Sequence, residues 1–154
     1  MSLTFKIAEI EQVSEIVRLL AEDKLGKQRE NYTEPLPDVY INAFRAISQD
    51  PNQELIVVFN AENELVGTLQ LSFLQYLTYQ GGLRAQIEAV RIREQDRGKG
   101  SGTLFFEWAI DRAKERGAHL IQLTTDKQRP EALAFYKKLG FTNSHEGMKM
   151  QLKA

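Results

Sequence analysis

The chain has 154 residues, 42% hydrophobic and 27% charged, the profile of one globular domain spanning residues 1–154. Its 20 basic and 21 acidic side chains leave a net charge of -1, which argues against a general nucleic-acid or membrane-surface binder. The absence of cysteine excludes disulfides, thiolate metal sites and a cysteine nucleophile, and His119 and His145 alone make no histidine-rich metal site.

The opening MSLTFKIAEI is too short and too charged for a signal peptide. No apolar run approaches the ~20 residues of a membrane span. The cytoplasm is therefore the expected location. Leu3 to Ile7 alternates apolar and polar residues and reads as a strand. Val13, Ile16, Val17, Leu19 and Leu20 follow at helical spacing, with Gly26 as a stop signal. Lys24 to Pro37 is polar and irregular, and its prolines forbid a helix interior. Val39, Tyr40, Ala43, Phe44 and Ile47 predict a second amphipathic helix, with Asp38 as its cap.

Glu54 to Phe59 and Leu65 to Leu74 read as a hairpin around the turn at 61–64. Gln80-Gly81-Gly82 turns the chain again, and Leu83 to Arg93 makes the next strand. A helix over Leu104 to Arg116 ends at Gly117, its apolar stripe formed by Phe106, Ile110 and Ala113. A short strand at Leu120, Ile121 and Leu123 precedes a helix opened by Pro130 and closed by Gly140. Phe141 to Leu152 predicts a final strand or hairpin around Gly147. The order β-α-α-β-β-β-α-β-α-β places the chain in the α/β class: a central, mostly antiparallel mixed sheet flanked by helices.

The stretch RGKGSG, Arg97 to Gly102, lies between a strand and a long helix. Unpaired amides at a helix start and the helix dipole both favour an anion there. Glycines let a phosphate approach the backbone, and Arg97 and Lys99 add positive charge. A flexible loop that needs glycines only to turn is the plainer alternative. The stretch is neither a P-loop nor a dinucleotide fingerprint, since GxxxxGK[ST] and GxGxxG are both absent.

With its flanks added, Val90 to Gly102 resembles the acetyl-CoA-binding motif of the GNAT superfamily of N-acetyltransferases. The family pattern Gln/Arg-x-x-Gly-x-Gly/Ala is met by Arg97, Gly100 and Gly102. Further on, Ala132 to Phe141, ALAFYKKLGF, resembles the family's second motif, a helix with a tyrosine followed by leucine-glycine-phenylalanine. The resemblance covers nearly the whole element order. It implies acetyl-CoA as cosubstrate, its pyrophosphate on the amides of Gly98, Lys99, Gly100, Ser101, Gly102 and Thr103. It implies a pantetheine arm along Val90, Arg91 and Ile92, in a V-shaped gap opened by the strand near Leu120 to Thr124. Many family members carry asparagine seven residues before the tyrosine. This chain departs from the pattern with Arg129 there, so the asparagine contact is not carried over, though an arginine can reach a phosphate instead.

The resemblance also implies Tyr136 as general acid toward the CoA sulfur; its plainer role is a core tyrosine beside Phe135. Glu88 is the candidate base. In a regular strand it shares a face with Val90 and Ile92, where a carboxylate is costly without a role. An ion pair with Arg84, or a bulge that turns Glu88 to solvent, is the alternative. The resemblance implies Leu25 to Leu36 as a wall of the acceptor site, with Tyr76, Tyr79 and the 78–82 turn closing the other side; a solvated helix end and loop is the plainer alternative. Glu22, Asp23, Glu30 and Glu34 make that region partly acidic, which suits a cationic amine, although Lys27 and Arg29 interrupt the patch.

The expected function is acetyl-CoA-dependent transfer of an acetyl group to a small or lysine-like primary amine, with no metal. No nucleic-acid or membrane partner is expected, and the resemblance admits a homodimer. The alternative is a non-catalytic CoA-binding or regulatory domain of the same fold. A DNA-binding regulator ranks below both, since neither a helix-turn-helix nor a basic helix face is evident.

Overall fold

The computed structural model describes residues 2–153. Five strands form one sheet: β1 Thr4–Ile7, β2 Gln53–Phe59, β3 Leu65–Gln75, β4 Leu83–Ile92 and β5 Leu120–Gln122, in that spatial order. The first four pair antiparallel, and β5 pairs parallel with β4. The helices are α1 Val13–Glu22, α2 Gly26–Arg29, α3 Asp38–Gln49, α4 Thr78–Gly81, α5 Ser101–Glu115 and α6 Pro130–Leu139. The short α4 is a left-handed turn, since Tyr79, Gln80 and Gly81 all have positive φ.

Strand alternation divides the core between the two faces of the sheet. On one face, Val57 packs with Val13, Ile16 and Val17 of α1 and Phe44 of α3. On the other, Ile56, Val58, Leu69 and Leu71 meet Phe105, Phe106 and Ala109 of α5. The buried stripe of α5 is therefore Phe105, Phe106, Ala109 and Ala113, and Ile110 lies outside it. Gly67 makes room for the fully buried Phe105: a Cβ there would stand 2.4 Å from the Phe105 ring. Glu54, buried beneath α5, accepts hydrogen bonds from Arg112 Nε at 2.9 Å, Arg112 Nη2 at 2.6 Å and Arg116 Nη1 at 2.8 Å.

Three expectations need correction. The segment 141–152 forms no strand: Phe141 stays on the core, but Met148, Met150 and Leu152 are 94%, 84% and 88% exposed. Alternation gives a segment two faces but does not supply the ladder partner a strand requires. Asp38 is the first residue of α3, not its cap; Pro37 holds the cap position without a side-chain bond. Lys24 to Pro37 is not wholly irregular, because it contains the turn of α2.

Candidate active site

The β4–β5 ladder pairs Arg84 with Leu120, Ala85 with Ile121 and Gln86 with Gln122, and then stops. Beyond that point β4 continues to Ile92 while remaining paired with β3 on its other side. Val90 to Ile92 thus face a gap where a parallel neighbour would lie. A cavity of ≈ 300 Å³ occupies it. Val90, Arg91 and Ile92 form one wall, and Arg129, Phe135 and Tyr136 the other. Arg97 and Gly102 stand at the loop end, and Asp23 closes the side toward α1. A hollow of ≈ 320 Å³ between β1 and α5 is slightly larger, but two charged groups on its wall, Glu54 and Arg112, already bond each other.

The loop entering α5 is shaped by Gly98 at φ 75 and Gly100 at φ 81, a left-handed conformation that L side chains seldom adopt. A Cβ built on either glycine would meet no atom within 4 Å, so both face open space. The loop is pinned from behind. Arg97 Nε donates to the Ile92 carbonyl at 2.9 Å, Ser101 Oγ to the Asp96 carbonyl at 3.1 Å, and Arg93 Nε to Asp96 at 2.5 Å. The first turn of α5, from Ser101 through Gly102 to Thr103, is thereby presented at the mouth of the gap, with Lys99 exposed beside it. Gly102 also sets the approach of α5 to α6, since a Cβ there would come within 3.3 Å of Phe135.

Within β4 the register breaks. Gln70 faces Glu88 and Thr68 faces Arg91, so Ala89 and Val90 together oppose Leu69. This is a β-bulge, with Ala89 at φ 53. It corrects the expected face: Glu88 shares a side of the sheet with Arg91, and Ile92 turns to the other side. Glu88 is exposed, accepts a hydrogen bond from Gln86 Nε2 at 2.8 Å and does not line the cavity.

Tyr136 lies between Phe106 and Phe135, with ring centroids 5.4 and 5.6 Å away. Burial pushes its phenol above the ordinary value, and the charges of Arg129 and Arg91 offset this only in part. The same two arginines meet Asp23. Arg91 Nη2 lies 3.4 Å from its carboxylate, Arg129 hydrogen-bonds it, and Arg29 Nη2 stands 3.9 Å away. Burial opposes the Asp23 charge, but Arg91 and Arg129 outweigh it and hold the carboxyl below its ordinary range.

The expected acidic patch is largely occupied. Glu22 pairs with Arg18, Glu30 accepts from the Tyr40 hydroxyl at 3.0 Å, and Glu34 accepts from the Tyr32 hydroxyl at 3.3 Å. Tyr76 and Tyr79 do not line the cavity; they flank Arg84, 5.0 and 5.4 Å from its guanidinium. His119 Nδ1 is 2.9 Å from the Leu83 carbonyl and its ring packs on Tyr79, while His145 is exposed beside Ser144. Sequence reasoning missed Phe106 and Phe135 as cavity walls and Asp23 as the partner of Arg91 and Arg129.

Solved acetyltransferase structures share this fold: that of a Trypanosoma brucei acetyltransferase superposes with TM-score 0.78 at 21% identity, over 98% of this chain and all of that one. The Clostridium acetobutylicum predicted acetyltransferase, solved with acetyl-CoA, superposes with TM-score 0.74 at 20% identity, over 98% of this chain and 97% of that one. The profile described as Acetyltransferase (GNAT) family matches residues 15–141, and the chain belongs to that family. A Bacillus halodurans C-125 protein described as a transcriptional regulator is 54% identical, with TM-score 0.93 over 98% of this chain and all of that one. The aminoalkylphosphonate N-acetyltransferase of Salmonella typhimurium is 28% identical over 104 residues, 68% of this chain and 66% of that protein. Streptothricin acetyltransferase of Streptomyces lavendulae is 28% identical over 96 residues, 62% of this chain and 48% of its own length. The chain thus spans less than two thirds of these curated relatives. Among the described residues, no helix is long and apolar enough to cross a membrane.

Proposed function

We propose that the protein transfers an acetyl group from acetyl-CoA to a primary amine by direct attack. The observation that carries this reading is the gap along Val90 to Ile92, which is lined by Arg97 and Gly102 at its loop end and by Tyr136 on the opposite wall. The residues fit the cosubstrate: side chains at 98 and 100 would fill the space a diphosphate needs, and β4 beyond Gln86 has no strand on its β5 side, so it can bond amides as an added strand does once the Arg91 and Arg97 side chains yield the Val90 and Ile92 carbonyls. Arg97, Lys99 and the first-turn amides of α5 hold the anionic end. Val90, Arg91 and Ile92 hold the arm, with Arg129 on the opposite wall.

Acetyl-CoA supplies an acyl group activated as a thioester. The new C–N bond forms as the C–S bond breaks. An alkylamine with pKa near ~10.4 must first lose a proton. Glu88, on the same side of the sheet as Arg91, takes it directly or through water. A β4 amide between Val90 and Ile92 steadies the carbonyl oxygen. Tyr136, kept protonated by burial, gives its hydroxyl proton to the departing sulfur. Small amines are the expected acceptors, in keeping with the name of the Salmonella relative. A second copy of the chain and a cytoplasmic location complete the reading.

A thiol-release screen of primary amines with acetyl-CoA tests it: turnover of any amine is expected. The name of the Bacillus halodurans relative favours a second reading, a CoA-binding regulatory domain. That reading predicts acetyl-CoA binding with no thiol release from any amine.

A further inference from the structure

Three guanidinium groups converge on the single carboxylate of Asp23: Arg29 of α2, Arg91 of β4 and Arg129 ahead of α6. Glu30 is the further carboxylate whose charge acts on Arg91, and it is tied to the Tyr40 hydroxyl. Three cations against these two anions leave an excess of positive charge. Its inner end is screened least, since the side chains of Arg91 and Asp23 are only 13% and 16% exposed, while Arg129 and Arg29, at 33% and 55%, reach toward solvent. Arg91 Nε is buried and has no hydrogen-bond partner. A buried donor left in this state is costly, and a native site keeps one when a ligand supplies the missing acceptor.

The position of the excess says which ligand. Arg91 and Arg129 line the same cavity as Tyr136, so they stand at its transfer end. The diphosphate end is served by Arg97, Lys99 and the helix start. The acetyl group is uncharged. An anion that completes the arginine cluster must therefore arrive with the acceptor. Arg91 and Glu88 also share one side of the sheet, so the anion and the amine to be deprotonated approach from the same direction. This reverses the expectation that the loop after α1 favours cationic acceptors.

We propose, resting on the acetyl-transfer reading above, that Arg29, Arg91 and Arg129 receive an oxyanion carried by the acceptor. The substrates are amines bearing a carboxylate or phosphate-type group a few atoms from the nitrogen. Asp23 holds the guanidinium groups in place until that group arrives. Planar guanidinium forks suit both oxyanions, and polyamines are disfavoured by like charge.

Thiol release is measured with β-alanine, phosphoethanolamine, n-butylamine and spermidine at saturating acetyl-CoA. We expect kcat/KM at least about tenfold higher for one or both acid-bearing amines than for n-butylamine, with spermidine lowest. The relative rates of β-alanine and phosphoethanolamine distinguish the two oxyanions. Arg29→Gln changes a side chain that is 55% exposed and should leave the fold intact. It is expected to raise KM for the acid-bearing amines and bring their advantage over n-butylamine toward one. Equal or better use of n-butylamine or spermidine overturns the assignment, as does an acid preference unaltered by Arg29→Gln. If no amine is turned over, the transfer reading fails, and the oxyanion receptor is decided by thermal unfolding. A rise in Tm of about 3 °C with phosphoethanolamine or β-alanine, absent with n-butylamine and reduced in Arg29→Gln, supports it. No rise, or a rise equal in the variant, overturns it.

Discussion

Asp23 and Arg91 are separated by 68 positions in the chain, yet the Arg91 Nη2 lies 3.4 Å from the Asp23 carboxylate and ties the end of α1 to β4. Because the folded Asp23 carboxyl titrates below its ordinary value of 3.8, its ionised form stabilises the fold. That contribution is present above the ordinary value and is lost as pH falls through the lower, folded value. Asp23→Asn should therefore be less stable than the parent at pH 6, by about 1–2 kcal/mol. The difference should shrink as pH falls from about 4 toward 2. Urea unfolding of both proteins at several pH values checks this; a gap that widens in acid would contradict it.

Gly100 offers backbone, not a side chain, to the mouth of the gap. Its φ of 81 makes any L residue strained there, at about 1–2 kcal/mol, and the space above it is open. Gly100→Val should keep the fold, seen as a cooperative thermal transition, while weakening acetyl-CoA binding by about 100-fold or more. Calorimetric titration reads the loss, and unchanged affinity would remove the loop from the binding site.

Tyr136 should govern the alkaline limb of the pH profile. Burial raises the Tyr136 pKa, so the protonated phenol persists past the ordinary value of 10.0 and the alkaline limb lies above it. Tyr136→Phe should cut kcat about 100-fold with little change in acetyl-CoA affinity, and remove that limb. Glu88→Gln should cut kcat about 100-fold while leaving acetyl-CoA affinity unchanged. An unchanged kcat in either variant takes that residue out of the chemistry.

The Glu54 carboxylate, buried under α5, is held below its ordinary range chiefly by the Arg112 hydrogen bonds, which outweigh burial. Glu54→Gln breaks this bidentate arrangement far from the cavity. It should cost about 2 kcal/mol in urea unfolding at neutral pH, with acetyl-CoA binding retained. A neutral effect on stability would mean that Arg112 and Arg116 find water as good a partner.

The strand–loop–helix at residues 90–103 was legible because three glycines sit between a β-like run and a long helix-like run. The parting of β4 from β5 followed from the resemblance and is visible as a ladder that ends at Gln86 and Gln122. The bulge at Ala89 was not legible: alanine at φ 53 carries no sequence mark, and it changed which residues share a face with Glu88. The Asp23–Arg129 hydrogen bond was equally hidden, because 106 positions separate the partners and only the folded chain brings the end of α1 and the start of α6 together. Loop carboxylates therefore read as a free acidic patch when Asp23 was already committed to arginines. Phe141 to Leu152 reads as a strand or hairpin around Gly147, but pattern alone cannot say whether an edge is available.

Amide chemical-shift mapping on adding acetyl-CoA tests most directly where the cosubstrate sits. The largest shifts are predicted at Gly98 to Thr103 and at Val90 to Ile92, with smaller ones around Tyr136. Saturable binding whose shifts cluster elsewhere, for example around Phe5 and Trp108 in the hollow between β1 and α5, or no binding at all, would contradict it.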